Sequence, residues 1–296
     1  MVFAMLCYPQ LSLSCALTGL NVWFQKMIPT LFPFMVLSGM MIRLRLSDQF
    51  AGFFRPLLYP FLRVNNRCLY CVIIGFLCGF PMGAKITADL YRLRQITKKE
   101  ADFLLAFCNN IGPVFFTGFV LAFLPRQIPV SVYLFGMYGI PFLYGLFLRY
   151  LYYGNSLNVC GAAELPIQKP PGFVQTLDES ILSAIQSITK LGGYMIFFNL
   201  LNVLPGLFLP LLPPAFTSLR IPLYLTTEIT GGIALAGTDA PLLILTFLPF
   251  GGLSCIAQTA GMITGTDLSV FPYVIHKLCQ SALTLCYYLF IFRIFM

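Results

Sequence analysis

Glu228 stands in Thr226-Thr227-Glu228-Ile229-Thr230-Gly231-Gly232, a carboxylate beside hydroxyls and a glycine pair in a charge-poor stretch. An acid is costly to place in hydrocarbon, so one reading makes it a site for a proton, a cation or a polar ligand. The other makes it a structural acid, bonded to a hydroxyl or to exposed backbone N–H groups, and the two weigh equally. Asn109 and Asn110 lie in Cys108-Asn109-Asn110-Ile111-Gly112-Pro113, and Gly252, Ser254 and Gln258 follow Pro249-Phe250-Gly251. Buried amides need partners. They either tie helices together or offer several donors and acceptors to an uncharged ligand such as a sugar or base. Gly79, Pro81 and Gly83 interrupt the apolar run Gly75–Lys85. Pro81 has no N–H and its ring clashes with a continuing helix, so the chain is expected to turn back as a hairpin. The N–H groups opening its second arm would suit an anionic or polar ligand group. A kinked but continuous helix with packing glycines is the alternative. Lys85 and Asp239 form a further candidate pair, with Asp239 joining Glu228 as an ion-coupling acid, although Lys85 also has Asp89 at i+4 on its own helix.

No catalytic constellation accompanies these residues. The chain has one His and ten Cys, and no Rossmann, P-loop or zincin signature. Cys68-Leu69-Tyr70-Cys71 has metal-ligand spacing but no second pair and no nearby His, so it is read as small thiols filling helix contacts. His276-Lys277 is either a proton-relay element or a helix contact. The expectation is no enzyme, no cofactor and no metal.

The elements that must hold the candidates are apolar. Of 296 residues, 58% are hydrophobic and 9% charged, and the mean hydropathy is +0.85. A soluble surface needs about 25% charged residues. Charge-free runs cover Met1–Gln25, Phe103–Pro125, Gln127–Leu148, Leu191–Leu219 and Ala240–Thr266, and about 20 apolar residues suffice to span a bilayer. This composition excludes a soluble enzyme, a disordered chain and a nucleic-acid-binding domain. The net charge of +8 therefore reports orientation in a membrane, not affinity for nucleic acid. The residues Met1–Leu6 lack the features of a cleaved signal peptide and are expected to begin a retained element.

The expected fold class is an all-α polytopic membrane protein, an inverted repeat of spanning helices with two re-entrant or broken hairpins. Its expected divisions are an N-terminal apolar or interfacial helix (1–26), a first repeat (27–152), a polar loop (153–180) and a second, inverted repeat (181–296). Each half reads as a spanning helix (27–42, 181–204), a Pro/Gly-broken stretch (53–92, 205–237) and two more spanning helices (103–124 and 127–151, then 240–264 and 268–295). Three crossings per half invert the second. An offset of 154 matches the Pro-Leu-Leu of 56–58 to that of 210–212 and Gly83 to Gly237, and places Lys85 opposite Asp239. Eleven Lys and Arg flank the first broken stretch and the central loop, against four (Lys26, Arg126, Arg220, Arg293) on the other face. That bias puts the loop in the cytoplasm.

With these residues in view the chain resembles the YlbJ-like sporulation integral membrane proteins, within the wider group carrying the nucleoside-recognition, or Gate, domain. The resemblance rests on Gly75–Lys85, Leu105–Pro113, Glu228–Gly232 and Phe250–Thr259, with Lys98-Lys99-Glu100-Ala101-Asp102 at the entry to the Asn-Asn segment. Cys255-Ile256 departs from it, at a place where a polar residue or His is expected. What the resemblance implies is a multi-pass protein of the cell membrane in a spore-forming bacterium, with no catalytic residues. Gate domains also look like part of concentrative nucleoside carriers and of bacterial ferrous-iron uptake proteins. The expected partners are the lipid bilayer and a small polar solute, and no nucleic acid. The expected function is a permease or channel-like transporter of such a solute, nucleoside-like at its finest, needed for spore formation. The alternative is a non-transporting scaffold for spore-envelope assembly.

Overall fold

The computed structural model describes residues 2–157, 172–208 and 218–295. All regular structure among them is helical, with no strand. Four helices there are long and apolar enough to cross a bilayer, namely Val130–Tyr153, Phe173–Phe208, Pro241–Ile263 and Val270–Phe295. The rod Pro9–Arg43 followed by Ser47–Leu62 adds a fifth if that pair, bent by 100°, counts as one. The fold is that of an all-α polytopic membrane protein, as expected.

The chain opens with α1 (Val2–Cys7) and α2 (Pro9–Val22), which runs through a π-turn (Trp23–Met27) into α3 (Ile28–Arg43). The border expected at residue 26 thus falls inside a continuous rod. Nor does α2 stand alone as an interfacial helix, because it packs along α11 (Phe173–Leu201). Two glycines permit the approach. A Cβ on Gly19 would lie 2.7 Å from the Met195 carbonyl, and one on Gly192 would meet the Trp23 ring at 2.4 Å. The Trp23 indole N–H donates to Ile188 O at 2.8 Å and fixes the register. α11 begins earlier than the expected residue 181, so Asp178 and Glu179 are helical, and Glu179 pairs with Arg43 at 3.3 Å. The rest of the polar loop, 158–171, lies outside the described residues, as does the 210–216 partner of the repeat match.

The first broken stretch resolves into three helices, α4 (Ser47–Leu62), α5 (Asn66–Cys78) and α6 (Met82–Arg92). The carbonyls left at the end of α4 are taken by buried Arg149, which donates to Leu62 O (2.7 Å) and Arg63 O (3.2 Å). α5 and α6 form the expected hairpin, returning along each other so that Cys71 Sγ sits 3.0 Å from Thr87 Oγ1. The turn is Gly79-Phe80-Pro81, with Gly79 at φ 85°, a left-handed conformation that glycine adopts freely. α7 (Lys98–Phe107) starts on a capping box between Thr97 and Glu100 and stops at an irregular segment, 108–112. The short α8 (Pro113–Gly118) and a 3-10 turn (Val120–Phe123) continue it. The rod Val130–Tyr153 then combines α9 (Val130–Leu134) and α10 (Ile140–Phe147) with two π-turns.

After α11 and α12 (Val203–Phe208) the order of elements recurs. α13 (Arg220–Thr227) and α14 (Ile229–Ala236) form a second, shorter hairpin. A Cβ on Gly232 would touch Leu225 N at 2.6 Å, which shows how closely the two arms pack. Its break lies at Glu228, one extended residue, and not at Gly231-Gly232, which are helical. α15 (Pro241–Phe247) and α16 (Gly252–Ile263) are separated by 248–251, and α17 (Val270–Phe295) closes the bundle.

The first hairpin also depends on small residues. A Cβ at Gly75 or Gly83 would sit 2.2 or 2.4 Å from the Cys108 carbonyl oxygen. Gly83→Val is therefore expected to lose about 1–3 kcal/mol to overpacking, read as a lower unfolding midpoint of the detergent-solubilised protein. Gly52→Ala, helical and with nothing within 4 Å of the added Cβ, should be neutral or stabilise by up to about 1 kcal/mol.

Candidate functional site

The four backbone breaks converge. A Cβ on Gly79 would lie 2.3 Å from Gly112 N, so the first hairpin tip rests on the segment that interrupts α7 and α8. In the other half a Cβ on Gly252 would stand 3.0 Å from Leu225 O and 3.1 Å from Thr226 O, which sets the start of α16 against the end of α13. The two pairs touch where a Cβ on Gly251 would come within 3.3 Å of the Phe80 ring. Between them is a cavity of about 280 Å³, at the lower end of ligand-site sizes. Cys78 and Phe80 line it from the first hairpin, Ile111 and Gly112 from the first break, and Glu228, Ile229 and Thr230 from the second hairpin. Leu248, Gly251, Cys255 and Gln258 complete that side, and Lys26, Thr30 and Phe34 of the first rod also line the cavity.

Of the residues singled out by sequence, Gly112, Glu228, Thr230 and Gln258 face this cavity. Glu228 is 2% exposed. Its carboxylate accepts from Gly231 N at 2.8 Å and from the Thr230 hydroxyl, and so caps α14. The geometry is that of the structural reading, a cap, and the same residue also borders the cavity. Gln258 Nε2 donates to Ser254 Oγ at 3.0 Å. Asn199 and Asn202 crowd Gly231 from α11 and its end, at 3.0 and 3.1 Å from where its Cβ would be. Asn202 Oδ1 is buried without a partner.

The Asn pair sits behind the cavity wall. Asn109 Oδ1 accepts from Ala84 N (3.3 Å), and its Nδ2 donates to Thr259 Oγ1 (2.9 Å) and Tyr273 OH (3.1 Å). Asn110 Nδ2 donates to Phe107 O (2.7 Å), and its Oδ1 accepts from Lys277 Nζ (2.9 Å). Both amides thus tie breaks to helices. Gly79, Pro81, Gly83, Gly231, Gly232 and Gly252 shape the tips without lining the cavity.

Lys85 and Asp239 do not meet. Lys85 Nζ pairs with Asp89 at 2.9 Å and donates to Ser183 Oγ at 3.2 Å, while Asp239 is exposed. The local i+4 pair prevails because both partners share one helix face. His276 Nδ1 lies 2.7 Å from Tyr144 OH, a helix contact. No cluster of His, Cys, Asp or Glu able to hold a metal occurs among the described residues, and Cys68 and Cys71 are free thiols.

Sequence reasoning passed over the polar stripe of α17. Tyr273, Lys277, Gln280, Thr284 and Tyr288 are all buried and recur at i, i+4, i+7, i+11 and i+15. That period marks one inward helix face and was available in the sequence. Lys277 belongs to this stripe.

The chain is similar to the sporulation integral membrane protein YlbJ of Bacillus subtilis (strain 168), with 28% identity over 313 aligned positions. The alignment covers 93% of this chain and 76% of that protein. This similarity supports a YlbJ-like membrane protein. No family model matches it, and no solved structure matches it. The alignment extends over almost the whole chain, so the similarity takes in both hairpins and both breaks.

Outside the spans, Asp267 accepts from Lys98 Nζ (2.8 Å) and Tyr91 OH (2.7 Å), which hold its carboxyl below the usual range. This tie is present above the ordinary carboxylate range and lost as pH falls through the lowered value, and it contributes little because the pair is exposed. The cap at Glu228 gives a sharper test. Glu228→Ala should cost about 0.5–2 kcal/mol of unfolding free energy in detergent. Glu228→Gln, which keeps an acceptor for Gly231 N, should lose clearly less. Equal losses would show that charge, not capping, is what the fold uses.

Proposed function

We propose that this YlbJ-like protein is a permease-type transporter of a small polar solute. The carrying observation is the cavity at which four broken backbone segments meet. Interrupted helices at mid-membrane are the usual construction of transporter sites, because free backbone groups and side-chain amides there can hold a solute while two halves rock about it. Here Glu228, Thr230 and Gln258 give the cavity wall acceptors and donors, and apolar Phe80, Ile111 and Leu248 supply faces on which a planar or hydrophobic part could rest. This mix suits an uncharged solute bearing hydroxyl or amide groups, and it supports a nucleoside-like ligand of the Gate type.

In this reading 27–152 and 181–296 are inverted halves, and the basic ends of the first hairpin and the central loop face the cytoplasm of a spore-forming cell. The relative's name places it in sporulation, and the same process is proposed for this chain. No group in the cavity is arranged for bond-making, so the reading is not enzymatic. A scaffold would be expected to pack its centre fully; the cavity argues for transport.

Purified protein in liposomes should take up one member of a panel of labelled nucleosides and neutral polar solutes. Gln258→Leu and Thr230→Val should each reduce that uptake about tenfold, the scale of one lost polar contact of ~1.4 kcal/mol, and Gly52→Ala should leave it unchanged. Uptake that is solute-independent and equal in every variant would favour the scaffold.

A further inference from the structure

Lys277 has no exposed surface, and no carboxylate among the described residues lies within ion-pair distance of it. Neutral groups hold its amine instead. It donates to Asn110 Oδ1 at 2.9 Å and Gln280 Oε1 at 3.0 Å, and it lies 5.3 Å from the Phe80 ring centre and 5.7 Å from that of Tyr273. Gln280 in turn donates to Ala106 O at 2.6 Å. One side chain of α17 therefore grips the break that follows α7 and the tip of the first hairpin. Phe80 is shared, since it also lines the cavity.

We propose that Lys277 is the proton-binding latch of the transport cycle: its ammonium form holds the first break and the first hairpin tip against α17, and release of the proton frees both. The proposal rests on the transport reading above. Its step is acid–base only. One N–H bond of the ammonium breaks, the electron pair stays on nitrogen, and the proton passes to water admitted through the cavity. Charge-assisted hydrogen bonds are roughly twice as strong as neutral ones, and attraction to a ring face requires the cation. Loss of the proton thus weakens every contact in the shell at once. No ion pair has to break, because the shell contains no counter-charge. The titratable groups around Lys277 are Cys108 at the end of α7, Cys255 on α16 and Tyr273 on α17. His276 turns to Tyr144, and Glu228 is engaged by Thr230 and Gly231.

The test is hydrogen–deuterium exchange of the full chain in liposomes, followed in peptides covering 77–83 and 105–113 and corrected for intrinsic rates. Between about pH 6 and pH 9 the native protein should lose protection there by about tenfold. Lys277→Arg, which cannot release a proton, should stay protected throughout, and Lys277→Met should exchange fast at every pH. A native protein without a pH response overturns the proposal by itself. So does a Lys277→Arg variant that opens as the native protein does. Loss of protection in Lys277→Met with no native pH response identifies a structural tie only and also overturns it. Should Lys277→Met fail to fold, the native and Arg samples decide. Uptake measured on the same samples separates the two claims: a pH-dependent latch without uptake refutes transport, whereas uptake without a latch refutes this proposal alone.

Discussion

Hydrocarbon offers no hydrogen-bond partner to a backbone that has left its helix, so each of the four breaks in this bundle has to be satisfied by protein. The solutions are mutual. The Cys108 carbonyl is approached by Gly75 and Gly83, Asn109 takes the N–H of Ala84, and Gly112 supports Gly79. In the other half Gly252 packs on the carbonyl ends of α13, and Glu228 takes the N–H of Gly231. Three of the breaks lean on a neighbouring element, and the turn at Glu228 caps itself. A side chain added at any of the close glycines would separate surfaces that now meet within van der Waals distance.

The two halves meet this requirement with different chemistry. The first hairpin has long arms, Asn66–Cys78 and Met82–Arg92, and turns through Gly-Phe-Pro. One donor at the start of its second arm, Ala84 N, is met from outside, by Asn109 of the break after α7. The second hairpin has short arms, Arg220–Thr227 and Ile229–Ala236, and turns through one extended residue that caps its own second arm. Glu228 therefore does locally what Asn109 does from a distance. A carboxylate suits that place because a helix N-terminus carries partial positive charge, which offsets part of the cost of burying it.

Sequence reasoning reached the first hairpin because it has a local cause. Pro81 and Gly79 forbid a helix where they stand, and of the charge-free runs 127–148 and 240–266 coincide with long helices whereas 103–125 is interrupted at 108–112. Features decided by contacts between distant segments were not legible. Gly19 and Gly192 dock α2 on α11, and hydropathy does not distinguish a docked helix from one lying at an interface. The second broken stretch was expected somewhere over 205–237, where Gly231-Gly232 stand beside the acid. Packing put those residues inside α14 and moved the turn to Glu228, whose side chain could cap. The candidate Lys85–Asp239 pair came from repeat arithmetic, and its stated alternative, Asp89 one helical turn away, is the pair that forms. Lys277 was weighed beside His276 as a neighbour in sequence. Its significance lay instead in the i, i+4, i+7 stripe with Tyr273, Gln280 and Thr284.

The ties between the halves run the length of α17, and those at its two ends hold backbone carbonyls. At the end where α6 stops, Arg92 donates to Met262 O (2.6 Å) and Thr264 O (2.8 Å), closing the exposed carbonyls of α16, and Lys98 pairs with Asp267. At the opposite end of α17, Tyr287 and Tyr288 donate to Val132 O (3.1 Å) and Tyr133 O (2.7 Å), with their rings packed among other aromatics. Both ends are therefore clamped through contacts to backbone carbonyls, which hold position rather than merely fill space. Between them the four breaks remove helix surface that would otherwise interdigitate, and Gly112 and Gly251 provide no side chains to fill the gap. An opening beside them is the geometric result of interrupted helices and glycine-rich turns. The polar groups that border it, Glu228, Thr230 and Gln258, are held by bonds within their own elements, so they can present remaining acceptors to the space without loosening the clamps on either side.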